Sequence, residues 1–245
     1  MLKRAGRCGD GGTNVELNTS FLIRTFFLAF KGVPAALFIT GTALLLSAVP
    51  SFFMALARIY RIRFFSSAVR LYISFIRGTP MMVRILLVYS LLPSFINMLL
   101  KACHSSYNVF DLPPMIYAVT AFTLHNTAGM AELLRAAILT VSREQMDASS
   151  ALGFNKMQAF RYVILPQAAV SAVPNLCNLT VDLFKETSLA FLMTVKDITA
   201  IAKIEAAYGY NYIEAYLDIF FIYIIVCSAI QLIFLVVERR LCTNR

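Results

Sequence analysis

The sequence predicts an all-α integral membrane protein with about five transmembrane helices. The first sign is composition: 59% of residues are hydrophobic and the mean hydropathy is +0.72. A soluble domain of this length could bury a core without so many apolar residues. The second sign is charge placement. Only 14% of residues are charged, and they cluster between long apolar runs. The third is the length of those runs, which approaches the roughly 20 residues that cross a bilayer as a helix. The net charge of +9 does not call for nucleic acid. No dense Lys/Arg face is interleaved with aromatics, and anionic lipid is the simpler partner for juxtamembrane arginines. Cys8, Cys103, Cys177, Cys227 and Cys242 show no CxxC or zinc spacing and read as free thiols. His104 and His125 are too few and too far apart to suggest a metal site.

The chain opens with MLKRAGRCGDGGTN. No apolar segment follows its three cations at signal-peptide distance, so residues 1–20 read as a flexible tail rather than a leader. Residues 21–245 read as one membrane domain. Phe21 to Lys31 is apolar but carries Arg24 and Lys31, which suits an interfacial helix. Val33 to Ala57 is the first span, uncharged throughout, with Pro34 at its start and a kink expected at Pro50. Arg58, Arg61, Arg63 and Arg70 make the next loop basic. A second span begins near Leu71, is interrupted by Arg77-Gly78-Thr79-Pro80, and resumes to about Leu100. The third runs from Leu112 to about Leu139 and carries His125, Asn126, Glu132 and Arg135. The fourth starts near Tyr162, holds Asp182, and reaches Lys185-Glu186-Thr187-Ser188. After a connector of alternating charge, Ile219 to Val237 is the fifth.

Between the third and fourth spans lies the only long polar segment flanked by strongly apolar ones, residues 143–167. Ser142 and Gln145 have the spacing of a capping box, and Glu144 and Asp147 fall where the helix dipole favours negative charge. Gly153 supplies a stop, and Asn155 is placed to cap a second helix with Met157, Phe160, Val163 and Ile164 on one face. Pro166 is expected to close that register. Five spans put the termini on opposite sides. Lys and Arg concentrate in the loop after span one, in this polar loop and at the C-terminus, so that side is cytoplasmic and the N-terminus lies outside. The basic N-terminal tail argues the other way and is outvoted by three concordant loops.

The polar loop resembles the coupling loop of ABC-importer permeases, whose pattern is Glu-Ala-Ala, three residues, Gly, nine residues, Ile, one residue, Leu-Pro. Here it reads Asp147-Ala148-Ser149, Gly153, Val163, Leu165-Pro166. The spacing is intact, with Asp for Glu, Ser for the second Ala and Val for Ile. FIRGTPMMV (75–83), HNTAGMAELLRAAI (125–138), FKETSLAF (184–191), LPQA (165–168) and the terminal ERRL together resemble the polar amino acid uptake permeases of the bacterial cytoplasmic membrane. The segment after Thr187 is most similar to the cystine and sulfur amino acid branch.

The resemblance implies a type I ABC importer permease fold with a cytoplasmic coupling helix. It implies a second permease subunit, identical or homologous, two cytoplasmic ATPase subunits, and a separate solute-binding protein. No G-x-x-x-x-G-K-[ST] occurs, so ATP and Mg belong on the ATPase, and no cofactor is expected here. Asp147, Ala148, Gly153 and Phe154 are the expected ATPase contacts. Asp147 is open to a second reading as helix capping alone. For the substrate pathway the expected residues are Arg77, Thr79, Pro80, Arg84, Asn126, Glu132, Asp182, Lys185, Glu186, Thr187 and Ser188, because polar groups inside spans are costly in lipid and default to interior positions. Each has a structural alternative. Arg77 takes a carboxylate or snorkels to the interface, Arg84 pairs with Glu132 or Asp182 or faces substrate, and Asn126, Thr127 and Glu132 bind an amine or join helices. A self-contained carrier or channel would not need a capped, glycine-hinged helix pair. An intramembrane enzyme would need a paired catalytic motif, and none is visible.

Overall fold

The computed structural model describes residues 17–103, 109 and 112–243, which form helices and turns without strands. Five helices have 22 residues or more among the described residues: α2 (Val33–Ile59), α4 (Met81–Ala102), α5 (Pro114–Thr140), α8 (Leu165–Glu186) and α10 (Tyr212–Thr243). Shorter helices are α1 (Thr19–Phe30), α3 (Arg63–Gly78), α6 (Arg143–Ala151), α7 (Lys156–Ala159) and α9 (Ile198–Gly209). Three stretches are long and apolar enough to cross a membrane by length and composition: Thr19–Ile59, Met81–Ala102 and Tyr212–Leu241. α5 and α8 are as long but carry the polar residues, and they sit at the centre. α5 packs against α2, α4 and α8, and α8 packs against α10. Small residues allow this close approach: Ala36, Ala43, Ala118, Ala121, Ala128 and Ala131 are all buried.

The first helix begins at Thr19, inside the segment expected as a tail. Residues 1–16 lie outside the described residues, whereas Asn18 caps α1 by accepting from the Phe21 N–H at 3.0 Å. The Asn18 N–H donates to Glu214 at 2.9 Å, which ties the start of α1 to α10. α1 is therefore no isolated interfacial helix. It packs on α9 and α10 and continues the apolar stretch into α2. Gly32, between α1 and α2, has no room for a side chain: a Cβ would lie 2.4 Å from the Ile198 backbone nitrogen and 2.5 Å from the Asp197 carbonyl carbon. The segment expected as one interrupted span is two helices, and the first begins at Arg63 rather than Leu71. Cys103, Cys177 and Cys227 are free thiols, as read from their spacing. Cys8 lies outside the described residues, as does the side chain of Cys242.

Asp197, in the connector before α9, is fully buried and caps that helix by accepting from the Ala200 N–H at 2.8 Å. Burial pushes its carboxyl up to about 6, against the hydrogen bonds that favour the charged form. A carboxyl that is a weaker acid in the folded state contributes stability that is fully present below the ordinary value of 3.8 and lost as pH rises through about 6. The maximum loss is on the order of 3 kcal/mol. Asp197→Asn keeps the accepting oxygen without the charge. It is expected to raise the thermal midpoint of the detergent-purified chain at pH 8 and to raise it about half as much at pH 5, where the unfolded carboxyl is already ionised and the buried one is still protonated. Equal shifts at both pH values would show that charge burial is not the cause.

Candidate functional site: a polar interior and an exposed helix pair

α6 and α7 form the exposed pair. Gly153 joins them with φ +85°, in the left-handed region that glycine tolerates best. Its N–H reaches the Ser150 carbonyl at 3.0 Å and the Phe154 N–H reaches Ser149 at 3.0 Å, closing the end of α6. The capping box at this site is Asn155 with Gln158, reciprocal at 2.9 Å each way. The one expected at Ser142 does not form. Ser142 occupies the N-cap position but accepts through its backbone carbonyl, and the Gln145 side chain faces Gln167 at 3.5 Å. Pro166 does not end the second helix either. α7 runs through a π-helical turn at Phe160–Ile164 straight into α8, with Pro166 in its first turn. A wider turn and an N-terminal position both accommodate the missing proline N–H.

Beneath the pair, Met146, Phe160, Ile164 and Ala168 pack with Ile138, Leu56 and Ile59. The outer face presents Leu152, Phe154 and Met157, all exposed, with Asp147 and Ala148 beside them. The loop is thus anchored on α2, α5 and α8 while offering apolar side chains outward.

On the flank of the bundle, Arg77 and Glu132 together line three neighbouring open clefts of about 510, 460 and 370 Å³. Small-ligand clefts span roughly 300–1,000 Å³. The first opens toward Arg58 and Arg70. The second opens toward Asn175 and Asp182 on α8. The third reaches Thr79, Arg84 and His125. Arg77 stands at the end of α3, where Thr79 and Pro80 break the helix, and it has no ion pair among the described residues. Glu132 pairs with Arg58 at 2.5 Å, and its other oxygen lies 3.9 Å from Arg135.

Of the alternatives open to Arg84, it takes neither ion pair, with Glu132 or with Asp182, and it lines the third cleft. Its guanidinium donates to the Ile76 carbonyl, one of the acceptors left over at the end of α3. Asp182 instead meets Lys185 at 3.2 Å on an exposed face of α8. Asn126 is buried and donates to the Ser47 hydroxyl at 2.7 Å, joining α5 to α2. The Thr187 hydroxyl is buried and bonds the Phe184 carbonyl at 2.6 Å. Asn126, Thr187 and Ser188 line none of the three cavities. Glu186 is near the third through an unforeseen partner, His125, whose Nε2 lies 2.8 Å from its carboxylate. His125 and Arg84 also face an apolar cleft of about 730 Å³ between α3, α4 and α5. From sequence, His125 is weighed only against a metal site, which its isolation excludes, and is not placed on the substrate path. An ionisable residue inside a span was the available signal.

Long apolar helices beside charge-lined clefts, with an anchored helix pair exposed at one end, suit a component embedded in a membrane. Residues 19–242 match the model of binding-protein-dependent transport system inner membrane components, and the chain belongs to that family. It is 32% identical over 213 residues to the L-cystine transport system permease protein TcyL of Bacillus subtilis, covering 87% of each chain. It is 36% identical over 192 residues to the probable amino-acid ABC transporter permease protein PatM of Vibrio harveyi, covering 77% of this chain and 82% of that one. Among solved structures it is similar to an amino acid ABC transporter crystallised with histidines, at TM-score 0.71 and 29% identity, covering 91% of this chain and 94% of that one. An inward-facing MetNI methionine ABC transporter shares the fold at TM-score 0.65 and 15% identity.

Proposed function

We propose that this chain is the permease subunit of an ATP-driven amino acid importer, forming the path for substrate and coupling it to separate cytoplasmic ATPases. The observation that carries this reading is the anchored, glycine-hinged helix pair with exposed Leu152, Phe154 and Met157. Apolar side chains on an otherwise polar loop call for a docking groove. ATP and Mg sit on two partner ATPases, and this chain supplies no cofactor. A second permease copy or homologue completes the path, and a solute-binding protein delivers substrate. Amino acid transport named for the relatives supports that substrate class, and TcyL supports cystine within it. A zwitterion needs an anion-binding and a cation-binding group. Arg77 is free to take a carboxylate, and the Glu132 and Asp182 side of the second cavity suits an amine.

The helix pair and the C-terminus face the cytoplasm and the N-terminus faces outside, on the charge asymmetry of the loops. In a cysteine-free background, Asn155→Cys is expected to cross-link to the ATPase subunit in cells and to resist membrane-impermeant thiol reagents until membranes are opened. Labelling of this cysteine in intact cells would overturn both orientation and docking.

A further inference from the structure

At the end of the bundle that carries α6 and α7, a second kind of site is built from arginine. Arg58, Arg61, Arg63, Arg70 and Arg135 line one cavity of about 530 Å³, with serine hydroxyls between them. The carboxylate of Glu132 faces Arg58 and Arg135, and Arg61, Arg63 and Arg70 have no acidic partner among the described residues. Arg70 is oriented by the Ser67 hydroxyl at 2.9 Å. Arg63, Arg70 and Arg77 are seven residues apart on α3 and therefore share one stripe of the helix. Arg61 is held at φ +53°, the left-handed region, at the turn between α2 and α3. Five like charges around one cleft attract an anion, and Glu132 answers only Arg58 and Arg135.

The surroundings say which anion. Tyr60, Ile62, Phe64 and Phe65 are all exposed beside the cavity, Phe64 to 89%. A helix with arginines on one face and unpartnered aromatics on another suits the boundary between headgroups and acyl chains. Free phosphate would have no use for the aromatics.

We infer that this cavity binds the phosphodiester headgroup of an anionic phospholipid, with its acyl chains along Phe64 and Phe65. The site abuts the substrate-path cavity, which shares Arg58 and Arg70 with it, but its test does not depend on what the chain transports.

The full-length chain in neutral detergent is titrated with phosphatidylglycerol, phosphatidylcholine or inorganic phosphate and read by native mass spectrometry. Phosphatidylglycerol is expected to bind preferentially and to weaken with salt. Each arginine near a headgroup contributes about fivefold, so Arg61→Gln/Arg63→Gln/Arg70→Gln is expected to lose on the order of a hundredfold in affinity. Phe64→Ser is expected to weaken phosphatidylglycerol while leaving any phosphate binding unchanged. Far-ultraviolet helicity checks the fold of each variant. If the triple variant misfolds, Arg61→Gln alone carries the test with its fivefold loss. Wild-type affinity in the folded variants would overturn the proposal. So would displacement of the lipid by equimolar inorganic phosphate, which would mark a free-anion site.

Discussion

Gly153→Val is expected to abolish substrate-stimulated ATP hydrolysis while the permease still folds and inserts. Two observations separate these outcomes. Gly153 sits at φ +85°, where a β-branched residue is strained by roughly 1–3 kcal/mol. Nothing lies within 4 Å of where its Cβ would be. The cost is therefore backbone strain at the hinge, not a clash that spreads into the bundle. Relief of that strain re-aims α7 relative to α6 and moves Phe154 and Leu152 out of register with any groove they fill. The packing of Phe160 and Ile164 on α2 and α5 is left in place. Gly153→Asn is the control. Asparagine tolerates the left-handed region far better than valine, so it is expected to retain much of the coupling. Equal coupling in wild type and Gly153→Val, with assembly intact, would show that the hinge does not transmit the ATPase stroke.

Arg77→Gln is expected to lower uptake affinity ten- to hundredfold with no loss of thermal stability. Its side chain lines all three open clefts and makes no ion pair among the described residues. Removing it thus costs a charge-assisted hydrogen bond to substrate, about 1.5–3 kcal/mol, and nothing in the resting protein. Glu132→Gln is expected to behave differently, because it strands Arg58, whose side chain is only 16% exposed. Between the surface and fully buried limits for a broken pair, the stability loss is on the order of 2 kcal/mol. Adding Arg58→Gln is expected to restore much of it. Unchanged uptake in Arg77→Gln for every amino acid tried would make Arg77 structural. Competition of uptake by cystine, but not by arginine or glutamine, would place the substrate in the sulfur amino acid class, and the reverse would remove cystine.

The order of long helices was legible because membrane burial writes itself into local composition. Val33 to Ala57 has no charge, so its helix could be bounded within a few residues. The break at Gly78–Pro80, the stop at Gly153 and the Asn155 cap were legible for a related reason: each depends on backbone geometry set by one or two adjacent residues. The continuation of α7 through Pro166 was not, since the π-helical turn that absorbs the proline depends on Phe160 and Ile164 finding partners on α2 and α5. Pairing of charges was not legible at all. Spacing leaves Arg84 open to Glu132, Asp182 or substrate, and Glu132 belongs to Arg58, 74 residues away. Arg84 caps α3, and His125 meets Glu186 across two helices. The spacing along one helix states which face a residue occupies. Which charge stands opposite is decided only when a second helix crosses, and that crossing is set by the alanines between α2 and α5, not by the charges themselves.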